Sequence, residues 1–210
     1  MNKQNYFIYK DYKINPNPTH HDDRSYSDEA QDEVYRFAKS FLDENSLNTV
    51  IDIGCGSGYK LIKYFEKNWT IGIETEPCFS FLKNNYPDRE WINSGKSEES
   101  FPNFNKKCDI IICADVIEHI IDPDNLIEYI NSFDYNYLVI STPDREILRS
   151  RFMNYGEKSW QGPPINPAHV REWDFKEFEN YLNATFSKVA GFHCSSQIEC
   201  MYFLCEPNRS

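Results

Sequence analysis

Three stretches of this 210-residue chain carry side chains whose types and spacing suit chemistry. Asp115-Val116-Ile117-Glu118-His119 places two carboxylates and an imidazole close together. Imidazole takes up a proton near neutral pH, so His119 is the leading general base; the bland alternative is a histidine that caps a strand and bonds to backbone. Glu118 has three readings: orienting His119, binding an acceptor, or pairing with Arg171. A second imidazole, His169, falls within Pro167-Ala168-His169-Val170-Arg171-Glu172-Trp173. The third stretch, Asp52-Ile53-Gly54-Cys55-Gly56-Ser57-Gly58, sets a carboxylate just before three glycines. Glycines keep side chains out of a turn, so backbone N–H groups and a helix N-terminus can approach a ligand closely.

These residues need elements to hold them. Val50, Ile51 and Ile53 suit a buried parallel strand, and Leu61, Ile62 and Phe65 recur at helical spacing behind the glycines. Trp69–Ile73 reads as the next strand and finishes at Glu74, with Glu76 a weaker acidic candidate. Helix 77–85 and a short strand near Trp91-Ile92 follow. Cys108–Ala114 is a fourth strand and delivers Asp115–His119 to the carboxyl edge of the sheet, where open α/β sheets bind ligands. Asp122-Pro123 opens a helix, and Tyr137–Ser141 is a fifth strand ending at Thr142-Pro143-Asp144. Residues 145–172 show no clean periodicity, and Gly162-Pro163-Pro164 forbids a continuous helix; an irregular insert beside a ligand edge reads as an acceptor-binding lid. Helix 174–182 and strands 186–192 and 198–205 close the chain. At the other end, residues 1–27 read as an arm outside the core. In it, His20-His21-Asp22-Asp23 is a weak candidate for metal ligation, and Ser27 is a candidate N-cap for a helix over 28–42.

The spacing D-x-G-x-G-x-G, with its carboxylate at a strand end, differs from the G-x-G-x-x-G of dinucleotide folds, and no Lys-Ser or Lys-Thr pair closes a phosphate loop. Here the chain resembles the class I S-adenosylmethionine (SAM)-dependent methyltransferases, from about Val34 to Cys205. The resemblance implies an α/β, Rossmann-like fold: a mostly parallel seven-stranded sheet with a C-terminal antiparallel hairpin and helices on both faces. It implies one methyltransferase domain over 28–210. It also implies that Asp52, Gly54, Cys55, Gly56 and Gly58 shape the methionyl site, and that Glu74, about 20 positions beyond the turn, holds the ribose hydroxyls. Asp115 would contact the cofactor's amino group. The family's usual adenine-binding aspartate is missing, since Lys96-Ser97-Glu98 stands there, so Ser97 or its backbone takes that role.

Asp115-x-x-Glu118-His119 with His169-x-x-Glu172-Trp173 also resembles the metal-binding pattern of the small-RNA 3′-end 2′-O-methyltransferases. Carried over, Asp115, Glu118, His119 and His169 would ligate Mn²⁺ or Mg²⁺; the departure is Asp115, one methylene shorter than the expected glutamate. The same signatures resemble small bacterial methyltransferases of surface-glycan and nucleotide-sugar pathways. A formal net charge of −11 argues against broad nucleic-acid or anionic-membrane contact and favours that second likeness. Seven cysteines, odd in number and without a C-x-x-C pair, read as a reduced intracellular protein with no zinc cluster. Neither a signal segment nor a run of about 20 apolar residues is present, so the expectation is cytoplasmic. The expected reaction is O-methylation of a small polar acceptor such as a sugar, glycan precursor or phosphorylated metabolite. A metal-dependent RNA ribose methyltransferase and a non-catalytic SAM-fold partner subunit are the rivals.

Overall fold

The computed structural model describes residues 4–20, 24, 30–97, 100–104, 106–151 (without the Arg151 side chain), 160–195 and 199–209. His21, Asp22, Asp23, Ser27, Glu98, Tyr155 and Ile198 lie outside the described residues. Strands β1 (Thr49–Ile53), β2 (Trp69–Glu74), β3 (Glu90–Asn93), β4 (Lys107–Ala114), β5 (Asp134–Pro143), β6 (Lys188–His193) and β7 (Cys200–Glu206) form a sheet in the order β3-β2-β1-β4-β5-β7-β6. The first five run parallel; β7 is antiparallel to both β5 and β6. The seven-stranded, mostly parallel sheet with its terminal hairpin is therefore present.

The central strands read as near-continuous apolar runs because both faces are covered. Side chains alternate across the sheet. Ile51, Ile53, Ile71, Ile73, Ile111, Cys113, Leu138 and Ile140 pack on one side, while Val50, Ile110, Ile112 and Val139 pack on the other. The second side is closed by helices α1 (Asp32–Glu44) and α2 (Tyr59–Tyr64) through Val34, Tyr35, Ala38, Leu42 and Leu61. On the first side, α4 (Pro123–Asn131) contributes Leu126, Ile127 and Ile130, and α6 (Phe175–Asn183) contributes Phe178, Tyr181 and Leu182. Helices α3 (Cys78–Asn85) and α5 (Arg145–Arg151) complete the chain order. Among the described residues, no helix is long and apolar enough to cross a membrane.

Helix starts follow local chemistry. Asp122 accepts from the Asp124 N–H with Pro123 in the first turn of α4, and Asp174 and Glu177 form a reciprocal capping box on α6. The start of α1 differs from expectation. Gln31 adopts a left-handed φ of 62° and stands at the N-cap position, so the helix begins at Asp32 rather than at residue 28.

A larger correction concerns the N-terminal arm. Ile8 and Tyr12 are 3% and 6% exposed and belong to the core beside Trp173 and Phe178. Backbone bonds tie this stretch to residues 161–170: Lys13 N–H donates to Gln161 O, Asn15 N–H to Val170 O and Thr19 N–H to Pro167 O. The Trp173 indole donates to Tyr6 O, and Tyr12 Oη accepts from the Glu172 N–H. Interleaved aromatic and polar residues predict an arm outside the core. They pack instead because a second irregular segment supplies their partners, a contact that local periodicity cannot reveal.

Candidate active site

At the carboxyl edge of β1, β2, β4 and β5 lies a cavity of about 580 Å³, within the range of small-molecule sites. One end is the glycine turn. Gly54, Gly56 and Gly58 have φ of 74°, 54° and 72°, a region costly to residues with a Cβ. A Cβ on Gly54 would also sit 2.3 Å from Val116 Cγ2. Beside the turn, the Glu74 carboxylate accepts from the N–H groups of Gly56 (2.6 Å) and Thr75 (2.7 Å). Gly54, Cys55, Gly56 and Glu74 all line the cavity.

Three other residues expected at the cofactor end do not line it. Asp52 is fully buried below the turn, where Tyr35 Oη donates to its Oδ2 at 2.9 Å and its Oδ1 has no hydrogen-bond partner. Burial pushes its carboxyl up to about 7, against the opposing pull of the Tyr35 hydrogen bond and Lys60. Gly58 packs inward, where a Cβ would meet Leu82 and Trp91 at 2.6 and 2.9 Å; its role is to start α2. Ser97 lies off the cavity wall, which at this point is formed by Ser94, Ser100 and Phe101. Two residues the sequence reading passed over do line it: Gln31 and Lys60, joined by a 2.9 Å bond from Lys60 Nζ to Gln31 Oε1.

Asp115 connects the two ends. Its φ is 52°, and its carboxylate accepts from Ser141 Oγ (2.6 Å) and Gln31 Nε2 (2.9 Å). Beyond it, Glu118, His119 and His169 come together, each buried, with one donor atom apiece and all three atoms within 4.8 Å of one another. The two imidazole rings meet edge to face at 5.0 Å. Asp115 does not join this group, because Ser141 and Gln31 hold its carboxylate elsewhere.

Each member of the group has a defined support. His119 Nδ1 is 2.8 Å from Ala168 O, and His169 Nδ1 is 2.9 Å from Glu172 Oε1. Glu118 Oε2 accepts from Thr142 Oγ1, while Oε1 is buried without a hydrogen-bond partner. Burial, reinforced by the negative charge of Asp115, pushes the Glu118 carboxyl well above the ordinary glutamate range. Arg171 does not pair with Glu118. Its guanidinium is buried and donates to the carbonyls of Ile120 and Ile121, while the Glu118 carbonyl takes the Val170 N–H. Trp160, within the segment expected to be a lid, stacks on Tyr9 and does not line the cavity. The described part of the expected lid is thus a wall clamped by the N-terminal segment.

Comparison with known proteins agrees with this architecture. Residues 20–185 match a family described as a methyltransferase domain. A tRNA U34 carboxymethyltransferase of Campylobacter jejuni subsp. doylei is 30% identical over 99 residues, which are 45% of this chain. The match spans only 34% of that relative's length. Among solved structures, small RNA methyltransferase HEN1 superposes with a TM-score of 0.62 at 18% identity, covering 86% of this chain and 25% of that one. A SAM-dependent methyltransferase from Clostridium acetobutylicum gives 0.62 at 15% identity over 85% and 92%. Magnesium protoporphyrin IX methyltransferase from Synechocystis, with SAH bound, gives 0.60 at 14% identity over 85% and 84%. At such identities the structural likeness speaks to the fold. Together with the family match over most of the sequence, it shows that the chain belongs to the methyltransferase-domain family and has the fold of the class I SAM-dependent methyltransferases.

Proposed function

We propose that this enzyme transfers the SAM methyl group to a hydroxyl of a small polar acceptor, at the end of the cavity formed by Glu118, His119 and His169. One observation carries the reading: a buried carboxyl and two buried imidazoles converge in the same cavity whose other end is the glycine turn. Methyl transfer from a sulfonium is an in-line displacement, so alignment of donor and acceptor in a dry site supplies most of the catalysis. A nitrogen acceptor would need little else. A hydroxyl needs its proton removed, and converging basic groups supply that.

The cofactor end fits SAM. Glycines 54 and 56 line the cavity with backbone where a Cβ would be strained, and Glu74 lines the same space, suited to ribose hydroxyls. Asp115 and Cys55 complete the methionyl wall, with Asp52 acting from beneath through the turn. SAM supplies an electrophilic methyl carbon, and the chain's own residues do the rest. With Nδ1–H donated to Ala168 O, a neutral His119 carries its lone pair on Nε2, the nitrogen that can take up a proton. During transfer, His119 Nε2 would take up the proton that the acceptor hydroxyl gives up.

The same three side chains also suit a divalent cation such as Mn²⁺ or Mg²⁺: two imidazole nitrogens and one carboxylate oxygen, with Glu118 Oε1 lacking a protein partner. A cation held by Glu118, His119 and His169 would lower the pKa of a coordinated hydroxyl. Asp115, expected as a fourth ligand, is not among the converging atoms, and its carboxylate accepts from Ser141 and Gln31.

A second reading, an RNA hydroxyl as acceptor, is favoured by the relative named for tRNA and the neighbour named for small RNA. The net charge of −11 opposes it. Incubation with labelled SAM and either a fractionated metabolite extract or total RNA, with and without chelator, tests both. We expect label in a small, polar, alkali-stable product, lost on chelation if the cation is required. Label confined to RNA would replace the first reading with the second, and label on nitrogen would remove the hydroxyl from both.

A further inference from the structure

The strongest unexploited feature is a chain of hydrogen bonds behind His169, and the inference from it rests on the proposed role of the two histidines. His169 is bracketed: Glu172 Oε1 lies 2.9 Å from Nδ1 and Asn166 Nδ2 lies 2.9 Å from Nε2. The Asn166 amide cannot be read the other way round, because its Oδ1 already accepts from the Ala168 N–H at 3.0 Å. A carboxylate only accepts and an amide NH₂ only donates. Both neighbours therefore demand the same arrangement, a proton on Nδ1 and a lone pair on Nε2. A proton on Nε2 would set two donors against each other at 2.9 Å. Residue 168 also ties this pair to the first histidine, since its carbonyl holds His119 Nδ1.

We propose that Glu172 is a positioning residue which, with Asn166, selects the Nδ1–H tautomer of His169 and so keeps Nε2 basic toward the reaction end of the cavity. Glu172 is itself fixed. It is fully buried, its N–H donates to Tyr12 Oη, its carbonyl accepts from Arg145, and the salt-bridged Arg145 guanidinium is buried behind it. Asn166, by contrast, lines the cavity. Its amide covers Nε2 until an acceptor hydroxyl or a cation replaces it, so the chain that sets the tautomer also guards the lone pair.

The test is a shape-conserving inversion. In Glu172→Gln/Asn166→Asp, the amide introduced at position 172 donates to Nδ1. One oxygen of the carboxylate introduced at position 166 accepts from Nε2–H, and its other oxygen keeps the bond to the Ala168 N–H. Two-bond ¹H–¹⁵N correlation spectra of histidine-labelled protein distinguish the tautomers without any substrate. We expect pyrrole-type Nδ1 and pyridine-type Nε2 at His169 in the native protein, and the reverse in the double variant. A wrong tautomer in intact geometry costs about 10⁴-fold in a serine protease. Here we expect a loss of about 10³-fold or more in kcat, with the SAM dissociation constant changed less than about threefold. A native spectrum with the proton on Nε2 would overturn the tautomer lock whatever the acceptor is, and needs no variant to fold. An inverted tautomer with native turnover would instead remove His169 from the reaction.

Discussion

The two ends of the cavity are built in different ways. The cofactor end comes from adjacent parallel strands, with Asp52 opposite Gly72 and Ile53 opposite Ile73, and most of the groups assigned to it lie within one short stretch from Asp52 to Glu74, with Asp115 added from the end of β4. The acceptor end draws Glu118 and His119 from the loop after β4, His169 and Glu172 from an irregular segment, and Tyr12 from the N-terminal region. The first end depends on backbone conformation and the absence of side chains. The second depends on particular side chains held in place by long-range hydrogen bonds. Substitutions should therefore damage the two ends in distinguishable ways.

The largest separation is expected from His119→Ala. Loss of a positioned general base costs about 10²- to 10⁴-fold in rate, and because His119 stands at the acceptor end, calorimetric SAM affinity should stay near native. Equal loss of turnover and SAM affinity would erase the distinction between the two ends. The reciprocal change is Gly54→Ala. A Cβ at 2.3 Å from Val116 Cγ2, on a residue with φ of 74°, forces a shift in two walls of the cofactor end. Overpacking of this kind costs about 1–3 kcal/mol, and if that cost falls on the bound state SAM binding should weaken by about fivefold or more in titration calorimetry.

The smallest and most specific effect concerns Asp52→Asn. The buried Asp52 carboxyl is raised to about 7, from about 3.9 in an unfolded chain. The folded state thus holds this proton more tightly. The resulting stabilisation is complete below about pH 4 and is lost as pH rises toward about 7, after which the buried charge is borne in full. Replacing the acid with its amide removes that penalty. Chemical denaturation should show Asp52→Asn more stable than native at about pH 8 by about 1–3 kcal/mol, with the advantage gone by about pH 4. A constant difference across this range would mean that Asp52 is ionised throughout.

How much could be read without coordinates followed the same division. Gly54, Cys55, Gly56 and Glu74 line the cavity as their motif implies, because strand, turn and helix follow one another in a single line, whereas Asp52 is buried beneath the turn. Gly58 and Ser97 were misplaced for a related reason: a motif gives position along the chain, whereas the direction of a residue depends on Leu82, Trp91 and the loop to Ser100. Glu118, His119 and His169 could be named together from their motifs. The exclusion of Asp115 could not, since it turns on Ser141 and Gln31, residues with no signal in that pattern.

The sequence by itself determined the α/β class and the strand, glycine turn and helix that follow one another from Thr49, because apolar periodicity and backbone freedom act over a few residues. Only the tertiary structure decided that the N-terminal segment enters the core, that the described part of the irregular insert is a clamped wall, and that Glu172 and Asn166 bracket His169. Those outcomes rest on bonds such as that from the Glu172 N–H to Tyr12 Oη, between groups 160 positions apart. Such a pairing is selected by the desolvation cost of leaving either group unpartnered in the closed core.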